Sequence, residues 1–256
     1  MPTSKINIFD FDGTLSTDTW PKFWVWIKKF GLDGTHRNDE LESALAEYRT
    51  QHDGNNLETF FAFFSNLLKE NHSAITLDEL MEGEQYIKYN PGLEAYLQNA
   101  TTQNYIVSGG LVEFLNHLQI AQYFKDIYGT SVTKDGSGNI VGIDNIMTDA
   151  KKIDAIKDIL AKNHRAANDC KNVSYVGDGY SDAESMKYIH EHGGTAIFVH
   201  QQDSSDKYAA IHNAAIYNQL QELGVVDYNV IADFSPGSEL CNLLENYSWN
   251  ILSLCL

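Results

Sequence analysis

The stretch IFDFDGTL, residues 8–15, decides how this chain is read. An apolar run, KINIF at 5–9, leads into two aspartates, Asp10 and Asp12, and a glycine follows at once. A run of that length and composition predicts a short buried strand. Residues two apart in extended backbone face the same side, so both carboxylates project together from the strand's carboxyl end. Like charges that close repel each other unless a cation or a shared proton relieves them.

Working outward, the next strand-like run is Gln103–Val107, roughly a hundred residues on. The intervening segment is helical in pattern. Thr19 and Pro21 mark a helix start. DELESALAEYR, LETFFAFFSNLLKE and LDELMEGEQYIKY read as amphipathic helices, and NPG at 90–92 breaks the pattern before LEAYLQN. After Gln103, strands and helices alternate. The order is strand 103–107, a helix near 110–122, a hairpin turning at KDGSGN, a helix near 150–162, strand NVSYVGD, a helix from about 181, strand TAIFVH, and another helix. YNVIAD and GSELCNLLENY then complete a sheet edge and a covering helix. This alternation predicts an α/β fold, a Rossmann-like three-layer sandwich with a parallel sheet. Residues 1–15 and 89–256 would form the α/β core, and 16–88 an inserted α-helical cap.

Ligands of open α/β sheets bind at the carboxyl ends of the strands. Three predicted strands end there in polar, glycine-containing stretches: FDFDGT, VSGG at 107–110 and VGDGYSD at 176–182. Asp10, Asp12, Asp178 and Asp182 would meet at one edge, a carboxylate-rich place suited to a hard cation such as Mg2+. Each piece alone has a plainer reading. A DG pair is commonly a turn, VSGG a capped helix start, and Lys151 or Lys152 a solvated lysine opening a helix. Their order on successive strand ends makes the plain readings hard to sustain together.

The totals bound the function. Eighteen basic residues against thirty-five acidic ones give a net charge of −17, a field that repels nucleic acid and anionic membranes. The three cysteines, Cys170, Cys241 and Cys255, are scattered without metal spacing, as expected of a reducing compartment. No apolar run is long enough to span a membrane. A soluble, cytoplasmic protein is expected. The HEH at 190–192 sits at a helix end and reads as surface rather than metal site.

These motifs resemble those of the haloacid dehalogenase superfamily. DFDGTL matches its first motif, VSGG its second, Lys152 in KKIDAI its third, with Lys151 the alternative, and GDGYSD its fourth. VSGG, and the GDG run ending at Met186, look closest to the phosphoserine phosphatase-like subgroup, and the helical insert resembles a C1-type cap. The resemblance implies a Mg2+-dependent phosphatase acting through an aspartyl-phosphate. Asp10 would be the nucleophile and Asp12 the general acid and base. Ser108, the Gly109 amide and Lys152 would hold the phosphoryl oxygens. Asp10, the Asp12 carbonyl and Asp178 would bind the metal, with Asp182 behind them. Family dehalogenases lack the acid at the Asp12 position, so phosphoryl chemistry is favoured. A small phosphorylated metabolite is the expected partner.

The chain departs from the phosphoserine enzymes it resembles. Their glutamate soon after the first motif is replaced by Asp18 and Thr19, and Arg37 and Arg49 are only candidates for their carboxylate-binding arginine. Ser181 stands where asparagine is common. Aromatic residues crowd the insert: Trp20, Phe23, Trp24, Trp26, Phe60, Phe61, Phe63 and Phe64. Most read as its core, though one or two facing the site could hold a quaternary ammonium such as phosphocholine. A phosphotransferase or mutase, a phosphoprotein phosphatase and a non-catalytic phospho-ligand-binding module are the other readings.

Overall fold

The structure is a computed structural model, and it describes residues 4–17, 23, 25, 39–52, 57–70, 74–201 and 207–245. Asp18, Thr19, Trp20, Trp24, Trp26, Arg37 and Cys255, and the helix start expected at 19–21, lie outside the described residues.

One seven-stranded sheet organises the chain, in the order β4-β3-β2-β1-β5-β6-β7. The strands are β1 Ile6–Phe9, β2 Gln103–Leu111, β3 Asp126–Lys134, β4 Ile140–Asp144, β5 Val173–Gly177, β6 Thr195–His200 and β7 Tyr228–Ile231. All neighbours are parallel except β3 and β4, which form the hairpin expected around KDGSGN. β1 lies in the middle, paired with β2 on one side and β5 on the other, so Asp10 leaves the sheet at its centre.

Strand alternation builds two cores, one on each face. Ile6, Ile8, Tyr105, Val107, Tyr175 and Phe198 face one way; Phe9, Ile106, Val176, Ile197 and Val199 face the other. The first face is covered by α6 Asp149–Lys162, α7 Ala183–Glu191 and α8 Lys207–Glu222. The second takes α4 Leu93–Asn99, α5 Val112–Leu115 and α9 Glu239–Leu244. This is the expected Rossmann-like α/β layering. No helix among the described residues is long and apolar enough to cross a membrane.

Between β1 and β2 lie α1 Asp39–Gln51, α2 Leu57–Glu70 and α3 Leu77–Met81, the last running into a 3-10 turn, Glu82–Tyr86. LDELMEGEQYIKY is thus a short capped helix plus a tighter turn, not one helix. Thr76 and Glu79 close its capping box reciprocally. The insert's aromatics do pack together: Phe23 stacks on Phe64 at 4.4 Å, and Phe60 meets Phe61 and Phe64 edge-on. Phe61, Phe63 and Phe64 are buried, and their cluster is continuous with the second core. Each such ring contributes on the order of 2 kcal/mol by leaving water.

The chain leaves for the insert and returns through one seam. Thr17 N donates to Lys88 O, Asn90 N to Leu15 O, and Ser16 bridges Tyr89. The buried Asn90 side chain also donates to Thr14 O at 2.7 Å.

One expectation fails instructively. The helix predicted near 110–122 is only Val112–Leu115, followed by a 3-10 turn at Gln119–Tyr123. β2 runs on through VSGG to Leu111, with its register against β3 broken between Val107 and Leu111. Ser108 and Gly109 therefore sit on an irregular strand end and not at a helix N-terminus. Gly129 explains the close approach: a Cβ there would stand 2.7 Å from Gly110 O.

Candidate active site

Asp10 is fixed by its neighbours on the sheet. Its N–H donates to Val176 O at 2.9 Å, so the strand hands its side chain to the carboxyl edge. The following loop turns tightly, with Leu15 N and Ser16 N both donating to Phe11 O. Gly13 makes this turn possible in two ways. Its φ is +73°, and a Cβ would stand 1.9 Å from Asp178 Oδ2. The first and fourth motifs thus touch through a residue without a side chain. Thr14 Oγ1 adds a long hydrogen bond to Asp178 Oδ1, 3.4 Å, and Gln201 Nε2 holds Gly13 O at 2.9 Å.

Lys152 reaches the site because of helix periodicity. The buried face of α6 is Lys152, Ala155, Ile156, Ile159 and Leu160, a regular stripe. Thr148 caps the helix, setting this phase. The Lys152 ammonium lies 2.8 Å from Asp182 Oδ1 and 3.8 Å from Asp10 Oδ1, with 1% of its side chain exposed. Lys151 projects outward and donates to Asn145 Oδ1 at 2.9 Å. The stripe was legible in KKIDAIKDIL, where only Lys152 is in phase with the isoleucines.

Asp182 is fully buried and held from three directions. Lys152 and the Tyr175 hydroxyl donate to Oδ1, the latter at 2.7 Å, and Gly179 N donates to Oδ2 at 3.2 Å. A Cβ on Gly177 would stand 2.5 Å from Asp182 Cγ, so glycine is needed there too. Sequence reasoning missed Tyr175, Thr14 and Gln201. Tyr175 reads as one more apolar strand residue; its hydroxyl becomes meaningful only once Asp182 is folded back beneath it.

Asp10, Asp178 and Asp182 each bring one carboxylate oxygen within 4.8 Å of the others. The Asp12 carboxylate is not in that group. Burial pushes the Asp10 carboxyl up to about 7; Lys152 and the Ser108 hydroxyl oppose this, while Asp182 and Asp12 add to it. Burial likewise holds Asp178 well above the carboxylate range, with Asp182, Asp10 and Asp12 reinforcing it. For Lys152 burial is the largest influence and favours the neutral amine, but Asp10, Asp182 and Tyr175 more than offset it and keep the ammonium. Carboxylates outnumber the one ammonium here, and among the described residues no hydrogen-bond donor reaches the buried Asp10 Oδ1. Converging carboxylate oxygens, held up by burial and mutual repulsion, and one of them without a donor, fit a hard divalent cation.

Beside this group, Ser108 Oγ accepts from Gly110 N at 3.1 Å and is 1% exposed. Thr130 Oγ1 pins Gly109 O at 2.8 Å. Over Gly109 lies the first residue of α2, since a Cβ on Gly109 would meet Leu57 Cδ2 at 3.1 Å. The structure thus gathers Asp10, Ser108, Lys152, Asp178 and Asp182 at the end of β1, with Asp12 on the adjoining loop and Gly109 beneath the insert. Arg49 is half-buried with its guanidinium over the Phe60 ring at 5.9 Å.

A family model described as haloacid dehalogenase-like hydrolase matches residues 8–187, well over half the chain. The chain belongs to this family. Haloacid dehalogenase-like folds are also what the solved structures share with it. A HAD-family hydrolase from Salmonella enterica serovar Typhi aligns with TM-score 0.63 at 18% identity, covering 95% of this chain and 72% of that one. A phosphoserine phosphatase solved as a phospho-aspartyl intermediate analogue gives 0.62 at 16%, covering 94% and 98%. A substrate-bound phosphoserine phosphatase gives 0.57 at 15%, covering 78% and 87%. At such identities the likeness is one of fold. No curated protein matches the chain at a significant level.

Proposed function

We propose that this haloacid dehalogenase-like hydrolase is a Mg2+-dependent phosphomonoesterase acting on a small phosphorylated metabolite through an aspartyl-phosphate. The observation that carries the reading is the position of Asp10. Its Oδ1 is buried, lacks a hydrogen-bond donor among the described residues, and faces the Lys152 ammonium at 3.8 Å. A nucleophile needs an unencumbered oxygen beside a cation that can gather the electrophile's anionic oxygens.

In the first step an Asp10 carboxylate oxygen attacks phosphorus, and the bond from phosphorus to the ester oxygen breaks. Asp12 gives its proton to the departing alkoxide. In the second step water attacks the aspartyl-phosphate, Asp12 takes its proton, and the Asp10–phosphorus bond breaks to release inorganic phosphate. Ser108, the Gly109 amide and Lys152 hold the phosphoryl oxygens throughout, and Asp182 with Tyr175 keeps Lys152 in place. Asp10, the Asp12 carbonyl and Asp178 would hold Mg2+. Once bound, the ion neutralises charge on the phosphoryl group and keeps Asp10 ionised. Asp182 has its oxygens committed to Lys152, Tyr175 and Gly179, which supports a place behind the metal ligands. Residues 16–88 act as a cap, and among the described residues Leu57 brings it over Gly109 of the phosphate cradle.

The test is hydrolysis of an aryl phosphate by the wild type and by Asp10→Asn, each with Mg2+ and with chelator. Metal-dependent turnover lost in the variant supports the proposal. Undiminished turnover by Asp10→Asn would sink it.

A further inference from the structure

Resting on the phosphatase reading above, we propose that Thr130 is a positioning residue that acts through Ser108: it fixes the Gly109–Gly110 peptide so that the serine hydroxyl is left to donate into the site.

The break in the sheet creates the need. Val107 pairs with Tyr128 and Leu111 with Thr130, so three residues of β2, Ser108, Gly109 and Gly110, face one of β3, Gly129. Extra residues in a strand leave the regular ladder, and their backbone groups need other partners. Thr130 Oγ1 serves the Gly109 carbonyl at 2.8 Å, and the threonine is fully buried.

The direction of this bond is determined. A hydroxyl has one proton to give, and a backbone N–H can only donate. Met147 N donates to Thr130 Oγ1 at 3.0 Å, and Met147 is itself buried. That N–H takes a lone pair, so the threonine proton goes to Gly109 O. The Gly109 carbonyl shares its peptide with Gly110 N, which donates to Ser108 Oγ at 3.1 Å. A lone pair of the serine is thereby occupied, and its O–H remains to donate. The Ser108 side chain does hydrogen-bond to Asp10, opposing the rise that burial imposes on that carboxyl. Donors thus run one way, from Thr130 through the peptide to Ser108, and bonds in such a chain polarise one another. The same threonine ties the cradle to the start of α6. Met147 precedes Thr148, whose carbonyl accepts from Lys152 N at 2.9 Å. With Thr130 in place the serine is already oriented when a phosphoryl oxygen arrives.

The experiment measures kcat and KM for an aryl phosphate with Mg2+, and the urea midpoint. It uses the wild type, Thr130→Val, Thr130→Ser, Ser108→Ala and the double variant Thr130→Val with Ser108→Ala. Valine keeps the shape and loses the hydroxyl; serine keeps the hydroxyl. We expect Thr130→Val to lower kcat by about five- to tenfold with KM changed by less than about twofold, as loss of one hydrogen bond behind a preorganised donor allows. Thr130→Ser restores most of kcat. Beside Ser108→Ala the valine costs less than about twofold more, because the group it acts through is gone. An unaltered kcat in Thr130→Val overturns the inference, whatever the urea midpoint does. So does a change in KM alone, an equal loss in Thr130→Ser, or a loss that multiplies in full with that of Ser108→Ala. If Thr130→Val does not fold, Thr130→Cys takes its place, since a thiol is a weak donor of similar size. A kcat there equal to that of Thr130→Ser overturns the inference. If the wild type is itself inert toward the aryl phosphate, the phosphatase reading has failed and this inference with it; the other adverse outcomes fail this inference alone.

Discussion

The ammonium of Lys152 and the carboxylate of Asp182 meet at 2.8 Å in a place neither side chain shares with solvent. Such a pair adds little net stability relative to an apolar one, but removing one partner leaves a buried charge unpaired. Lys152→Met should cost about 3–5 kcal/mol at pH 7.5. The deficit should shrink at pH 5.5. Lys152 opposes the upward shift of Asp10, so without it that carboxyl rises further above its unfolded value of about 4. The folded protein then binds more protons than the unfolded chain, so stability falls as pH rises through that window. Urea midpoints at the two pH values check this; an equal deficit at both would contradict it.

Protons compete with the metal. Because burial pushes Asp10 up to about 7, Mg2+ must displace a proton below that pH. The apparent Mg2+ affinity should strengthen by up to about tenfold per pH unit below neutrality and level off above it. Calorimetry at pH 5.5, 6.5 and 7.5 measures it, and a flat profile would place the metal elsewhere.

The metal-free protein carries the opposite burden. Asp10 raised to about 7 means stability lost as pH rises from about 4 through 7. Asp10→Asn removes that charge and should raise the melting temperature in chelator at pH 8 while abolishing Mg2+-induced stabilisation. Saturating Mg2+ at about a hundred times its Kd should add about 2.7 kcal/mol to the wild type. Thermal scans of both proteins, with metal and with chelator, decide it.

Gly13→Ala meets two obstacles together, a φ of +73° and the Asp178 carboxylate 1.9 Å from the new Cβ. The strained φ alone costs on the order of 1–3 kcal/mol. Displacing Asp178 should weaken Mg2+ binding more than it weakens the fold. Metal titration beside a denaturation curve separates the two losses.

Tyr175→Phe deletes only the donor to Asp182 Oδ1, leaving Lys152 and Gly179 on that carboxylate. A cost of about 1–2 kcal/mol is expected. Turnover of an aryl phosphate should fall through kcat more than through KM, since Lys152 loses its fixed anchor. A change confined to KM would argue against that role.

The strands were readable because buried parallel strands are short apolar runs, and β1, β5 and β6 fall where KINIF, NVSYVGD and TAIFVH place them. Asp10, Asp178 and Asp182 were legible as polar breaks after such runs, and the structure brings their carboxylates together. The end of β2 was not legible. VSGG carries the same signals as a helix start, yet β2 runs on through it to Leu111, where its pairing with β3 resumes. Tyr175 and Leu57 were hidden for a related reason: each is an ordinary core residue in its own segment. Each gains meaning from a partner far along the chain, Asp182 or Gly109.

The seam through Leu15, Ser16, Thr17, Lys88, Tyr89 and Asn90 has a genealogical consequence. Departure and return are stitched together here, and the insert is tied to the sheet again where Ile75 pairs with Ile140 and Ser65 Oγ accepts from Ile143 N. What lies between these ties could be rewritten while β1 keeps its register between β2 and β5. Asn90 ties that same seam to Thr14, on the loop that carries Asp12. A lineage could therefore trade one insert for another and, on the phosphatase reading proposed above, one clientele of phosphate esters for another, leaving the cluster at the end of β1 as it was.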